Sequence, residues 1–132
     1  MMSQASLTPL NGCRILVVED DAIVAMLIEA HVTDFGCQVA GPAGNVPDAL
    51  QVIEQTLAID AAILDINLGG TRVDPVAVAL AAKGIPFLFL TGYGDQPVDA
   101  YPQAPVLGKP FALEQLHKLL HQLLAPDAQP TH

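Results

Sequence analysis

An α/β domain whose parallel sheet is covered by helices on both faces is what this chain of 132 residues predicts. Three observations predict it. Short apolar runs alternate with helix-length segments along most of the chain, the pattern of β-α units. The runs are continuously apolar, as in Ile15-Leu16-Val17-Val18 and Phe87-Leu88-Phe89-Leu90, which suits strands buried on both faces. The residues with chemistry in them (Glu19, Asp20, Asp65, Thr91 and Lys109) fall where these runs end, and open parallel sheets bind ligands beyond the carboxyl ends of their strands.

Each element has a local reason. Arg14–Val18 is the first strand, and Ala22 to about Thr33 a helix closed by Gly36. Gln38 to Ala40 reads as a short strand ended by Gly41-Pro42. Asn45 to Leu57 is the second helix, with Pro47 tolerated in its first turn. Ala61–Leu64 is the third strand. Pro75–Lys83 is a short helix between a starting proline and Gly84, Phe87–Leu90 the fourth strand, and Val106-Leu107 the fifth. Pro110 or Phe111 to Leu124 is the last helix, with Leu113, Leu116, Leu120 and Leu123 at helical spacing.

Residues 13–124 therefore form one domain, residues 1–12 a flexible N-terminal arm and residues 125–132 a C-terminal tail. One segment breaks the alternation. Gly92 to Gly108 should hold a helix, but it carries Pro97, Pro102 and Pro105 with three glycines, so it reads as a loop with at most a single turn. That loop is expected to be the moving part of the molecule.

Composition excludes several functions. With 52% hydrophobic residues the chain is globular, not disordered. The apolar runs Ala22–Ile28 and Val76–Ala82 are far too short to cross a membrane. No basic-then-apolar start marks a signal peptide, so a cytoplasmic protein without membrane insertion is expected. Net charge is −9, and Arg14, Arg72, Lys83, Lys109 and Lys118 form no basic stripe, which argues against direct nucleic-acid binding. Cys13 and Cys37 read as reduced, half-buried thiols. His117 and His121, four apart on the last helix, read as surface histidines rather than metal ligands.

The strand ends carry the functional signal. Carboxylates gathered at one crevice repel, by roughly 4 kcal/mol per pair at about 4 Å and an effective dielectric near 20. A divalent cation relieves this, and oxygen-only ligands favour Mg²⁺. Asp21, directly before Ala22, or Asp20 can cap the first helix. Capping needs only one acid, and three are present. Asp65 could be a turn residue before Gly69-Gly70, but that leaves Thr91 and Lys109 unexplained. As a nucleophile, Asp65 would attack phosphorus in line with the leaving group, while Mg²⁺ and Lys109 neutralise the equatorial oxygens and Thr91 hydrogen-bonds one of them. Asn67 would offer its backbone carbonyl to the metal. A cis bond at Lys109-Pro110 would aim the lysine back over the strand ends.

Val17-Val18-Glu19-Asp20-Asp21, Leu64-Asp65-Ile66-Asn67, Leu90-Thr91-Gly92 and Lys109-Pro110-Phe111, in this order and spacing, resemble the receiver domain of two-component response regulators from Cys13 to Leu124. The resemblance implies a flavodoxin-like, CheY-like doubly wound sheet of five strands in the order 2-1-3-4-5. It implies phosphorylation of Asp65 by a histidine kinase or a histidine phosphotransfer protein. Glu19 and Asp20 match the metal-binding acids, Asn67 the carbonyl ligand, Thr91 the switch hydroxyl, Gly92 the backbone donor to a phosphoryl oxygen, and Lys109 the lysine. No enzymatic turnover beyond Mg²⁺-assisted self-phosphorylation and self-dephosphorylation is implied. No attached output domain is expected, so the resemblance implies a relay, a phosphate sink or a switch acting through contact with a downstream protein.

Two features depart from the common receiver pattern. Val106 stands three residues before the lysine, where a Tyr or Phe is usual, and the fourth helix is shortened or replaced by a loop. Both, with Pro86-Phe87-Leu88-Phe89-Leu90-Thr91-Gly92-Tyr93, resemble the "FAT GUY" branch of single-domain receivers, Leu90 replacing that motif's alanine. This branch is often linked to kinases of the HWE and related types. Tyr93 falls where receivers tune water access to the acyl phosphate, so a shielding ring is expected there. The rivals are a phosphorylation-independent pseudo-receiver acting as a protein-interaction module and a haloacid-dehalogenase-type phosphatase. The latter wants an Asp at the position of Asn67.

Overall fold

Alternate residues of each central strand go to opposite sides of one sheet, and that division builds the domain. The computed structural model describes residues 10–124. In chain order its elements are β1 (Arg14–Val18), α1 (Ala22–Asp34), β2 (Gln38–Ala43), α2 (Val46–Gln55), β3 (Ala61–Asp65), β4 (Asn67–Leu68), β5 (Thr71–Arg72), α3 (Asp74–Ala82), β6 (Phe87–Thr91), β7 (Val106–Gly108) and α4 (Leu113–Leu124). The main sheet runs β2-β1-β3-β6-β7 with every pair parallel. Counting only the strands of that sheet, this is the flavodoxin-like order 2-1-3-4-5.

On one face, Leu16, Val18, Ala62, Leu64 and Phe89 pack against Ala49 and Ile53 of α2 and Val76, Ala77 and Leu80 of α3. On the other, Ile15, Val17, Ala61, Ile63, Leu88 and Leu90 pack against Ile28 and Val32 of α1 and Leu116 and Leu120 of α4. β3 is buried along its whole length, so the carboxylate of Asp65 is delivered to the surface from the middle of the core.

The structure moves several boundaries. β2 does not stop at Gly41-Pro42 but runs on to Ala43, with a register shift opposite Leu16–Val18. An edge strand tolerates proline, whose missing N–H need not pair. Gly41 has φ +91°, and a Cβ there would lie 2.9 Å from the Ala43 nitrogen, so only glycine serves. α4 starts at Leu113 rather than at Pro110 or Phe111, because Ala112 begins it: its N–H donates to Gln115 Oε1 and its carbonyl accepts from Leu116. Gly69-Gly70 is the two-residue loop of a small antiparallel hairpin, β4-β5, with φ +63° and +97°.

The arm assigned to residues 1–12 is docked at its end. Leu10 is buried, its N–H donates to the Phe35 carbonyl, and the Gly12 N–H donates to Gly36. The rest of that arm and the tail assigned to 125–132 lie outside the described residues. Cys37 is fully buried rather than half-buried, and both thiols are free. His117 is no surface residue: it is buried with its ring edge-on to Phe35 at 4.8 Å. The leucine face of α4 brings it there, since His117 adjoins Leu116 and lies one turn from Leu120.

Between β6 and β7 no helix forms. In the place of one, Val98 is buried against the α2-α3 side of the core and Tyr101 meets Phe87 edge-on at 5.3 Å. Among the described residues no helix is long and apolar enough to cross a membrane.

Candidate functional site

β1, β3 and β6 lie side by side, so Glu19, Asp65 and Thr91 arrive at one edge of the sheet because each ends or follows its strand. The three acids after β1 divide their work. Asp21 is the N-cap of α1, its Oδ1 accepting from the N–H groups of Ile23 at 2.9 Å and Val24 at 3.2 Å. Glu19 and Asp20 are thereby left for other partners. One carboxylate oxygen from each of Glu19, Asp20 and Asp65 lies within 4.8 Å of the others, with Glu19 and Asp65 buried and Asp20 exposed.

Lys109 enters from the end of β7 through a cis Lys109-Pro110 peptide. Its Nζ lies 3.0 Å from Asp65 Oδ2 and 2.9 Å from Glu19 Oε1. The contact to Asp65 is a hydrogen bond, whereas that to Glu19 is an ion pair of poorer angle. Buried Glu19 Oε1 is thus left without a hydrogen-bond partner. Burial pushes the Glu19 carboxyl up to about 7, with the neighbouring Asp65 adding to the rise and Lys109 opposing it. Burial alone would lower the Lys109 ammonium, but its bonds to Glu19 and Asp65 outweigh this and hold it above its ordinary value. Two buried carboxyl groups sharing one ammonium are short of positive charge.

The β4-β5 hairpin closes the other side. Asn67 N–H donates to Asp65 Oδ1 at 3.1 Å, while its side-chain Oδ1 accepts from Gly70 N–H at 2.7 Å. The side chain is therefore committed to the turn. Gly69 passes so near Asp20 that a Cβ would sit 3.4 Å from Oδ2. Thr91 is half-buried, its hydroxyl donating to the Gly92 carbonyl at 3.3 Å.

Tyr93 departs from its expected role, because its ring is fully exposed and covers nothing. It sits in a turn that Gly92 and Asp95 close on themselves, the Asp95 N–H donating to the Gly92 carbonyl. Sequence reasoning passed over two residues at this edge. Asp95 Oδ2 accepts from the Gly92 N–H at 2.7 Å, and Arg72, counted only as a scattered cation, reaches the carbonyls of Gln96 and Pro97 at 2.7 and 3.2 Å. An acid three residues after a glycine at a strand end is a turn signal that could have drawn attention to Asp95. Nothing local signals the reach of Arg72.

The fold and this edge have solved counterparts. SdrG from Sphingomonas melonis Fr1 is 44% identical, superposes with a TM-score of 0.76, and is matched over 85% of this chain and 96% of its own. A response regulator receiver protein from Sinorhizobium medicae is 25% identical over 87% of this chain and 96% of its own, with a TM-score of 0.74. The chain belongs to the response regulator receiver family. SdrG is also known in a beryllofluoride-activated conformation, which this receiver matches at 42% identity with a TM-score of 0.71, over 84% of this chain and 95% of that one. Among curated proteins, the phyllosphere-induced regulator PhyR of Methylorubrum extorquens is 28% identical over 119 residues, 84% of this chain. The receiver spans only 43% of PhyR. No family model matches. The chain is thus a CheY-like component of two-component signalling, and receivers of this kind are signalling modules rather than enzymes of metabolism.

Proposed function

We propose that this receiver accepts a phosphoryl group on Asp65, with Mg²⁺ held by Glu19, Asp20, Asp65 and the Asn67 carbonyl, and with residues 13–124 as the functional unit. The observation that carries the reading is the position of Lys109 Nζ, 3.0 Å from Asp65 and 2.9 Å from Glu19, beside three carboxylates within 4.8 Å. The donor set fits the ion: oxygen ligands only, a buried Glu19 Oε1 that has an ion pair to Lys109 but no hydrogen bond, and an exposed Asp20 at the solvent side. When bound, Mg²⁺ supplies positive charge to the phosphoryl oxygens.

In the reaction, a carboxylate oxygen of Asp65 forms a bond to phosphorus in line with the bond that breaks. That is the P–N bond of a donor phosphohistidine, whose imidazole leaves with the electron pair and takes up a proton. Lys109 compensates the charge on one equatorial oxygen, and Thr91 turns its hydroxyl from the Gly92 carbonyl to another. Hydrolysis of the acyl phosphate by water resets the site.

A histidine kinase or a histidine phosphotransfer protein is the donor this chemistry calls for. Support for a protein docking beside the site comes from Ile23, Met26 and Leu27. They are 78%, 67% and 51% exposed on one face of α1, next to the acids. The beryllofluoride-activated form of SdrG supports the same reading by analogy.

Labelling with acetyl phosphate tests it. Wild-type protein should acquire base-labile label only with Mg²⁺ present, and Mg²⁺ alone should raise the melting temperature. At ten times the dissociation constant the stabilisation is about 1.4 kcal/mol, a few degrees for a domain of this size. Asp20→Ala should erase the Mg²⁺-induced rise and lower labelling at least about tenfold, roughly the effect of losing one charged ligand. A protein indifferent to millimolar Mg²⁺ and never labelled would be a pseudo-receiver.

A further inference from the structure

The backbone N–H of Gly92 already has a negatively charged partner. Asp95 Oδ2 accepts from it at 2.7 Å, a short, charge-assisted bond. The chain just after this residue is held in place. Arg72 Nη1 and Nη2 hold the carbonyls of Gln96 and Pro97, the two residues after Asp95, and Arg72 Nε is paired with Asp74 at 3.0 Å. The bond is reciprocal, since the Asp95 N–H returns to the Gly92 carbonyl at 3.2 Å. Gly92 has no positive φ and a Cβ there would meet Asp95 Oδ2 at 3.5 Å, an ordinary contact, so it is the amide of this residue that matters here.

We infer that Asp95 is a built-in competitor for the phosphoryl group, occupying the Gly92 amide until a phosphoryl oxygen displaces it, and that Arg72 is the positioning residue that holds it there. The inference rests on the proposed phosphorylation of Asp65. An amide N–H is a single donor, and a carboxylate and a phosphoryl oxygen cannot both take it at full strength. Two anions brought to one amide also repel. Phosphorylation must therefore break the Gly92–Asp95 bond before Gly92 can serve the phosphoryl oxygen. The released carboxylate lies on the loop between β6 and β7, so the exchange of one acceptor for another carries the state of Asp65 into that loop. The device puts a threshold on activation: a weak anion at the site does not open the turn.

Beryllofluoride binding in Mg²⁺, followed through the amide resonances of the full chain, tests this. Asp95→Ala should bind beryllofluoride roughly five- to ten-fold more tightly than wild type, the scale of one charge-assisted hydrogen bond no longer opposed. Asp95→Asn keeps an oxygen acceptor without the charge and should gain clearly less. Arg72→Gln should gain about two-fold, since the carboxylate then leaves more easily. In the unliganded protein the Gly92 amide should exchange faster in Asp95→Ala than in wild type. Equal or weaker binding by a folded Asp95→Ala protein would overturn the inference while leaving phosphorylation of Asp65 standing. Equal gains in Asp95→Asn and Asp95→Ala would overturn it too, because charge repulsion alone would then account for both. A wild-type protein that binds no beryllofluoride would remove the phosphorylation reading and this inference together.

Discussion

Asp65→Asn is expected to abolish labelling from acetyl phosphate or a kinase and to leave the domain at least as stable as wild type. The two halves of the result have different causes. The amide oxygen of asparagine is a poor nucleophile, and among the described residues no other carboxylate combines the end of a buried strand with a hydrogen bond from Lys109. Glu19 is the nearest competitor, but its carboxyl is pushed up to about 7 by burial and by Asp65 itself. Stability should hold because asparagine has nearly the same shape and can still accept from the Asn67 N–H. Its neutrality removes one of two buried anions that share a single ammonium, which offsets the loss of the Lys109 pairing. Label incorporation after denaturing electrophoresis and a thermal melt on the same preparation check both halves. Undiminished labelling of this variant would place the phosphoacceptor elsewhere.

How much of this was legible in the sequence follows from the range of the forces involved. The strands that carry the site announced themselves because burial on both faces demands continuous apolar runs, and such runs are visible in Ile15–Val18 and Phe87–Leu90 without any partner. Strand ends were legible for the same reason, and with them the placement of Glu19, Asp65 and Thr91. Two parts were not. The passage of β2 through Gly41-Pro42 depends on pairing with β1, a non-local contact that overrides the local breaker signal. The hold of Arg72 on Gln96 and Pro97 spans 24 and 25 residues and uses backbone carbonyls, which have no sequence signature. Asp95 lies between these cases: its turn was written in the glycines around it, but its choice of the Gly92 amide was not.

The strongest physical link in the site is the one through Lys109, and its removal should show in stability as well as chemistry. In Lys109→Ala, Glu19 and Asp65 keep their burial and lose the cation they share. Breaking a buried pair from one side costs about 3–5 kcal/mol, and the 26% exposure of the Lys109 side chain lowers this to roughly 2–3 kcal/mol. Mg²⁺ draws on the same oxygens. The metal should therefore stabilise Lys109→Ala more than wild type, because it relieves a repulsion that the ammonium no longer offsets. Labelling should fall about a hundred-fold, the usual loss on deleting one donor aimed at developing charge. Combining Lys109→Ala with Asp65→Asn separates the pair from its parts. With one anion gone the lysine has less to neutralise, so the double variant should be about 1–2 kcal/mol more stable than the two single effects predict by addition. Denaturant melts of the four proteins, each with and without Mg²⁺, supply every number the cycle needs. If the single variant melted like wild type and answered Mg²⁺ no more strongly, Lys109 would not be neutralising these carboxylates. The role assigned to the ammonium in phosphoryl transfer would then lose its basis.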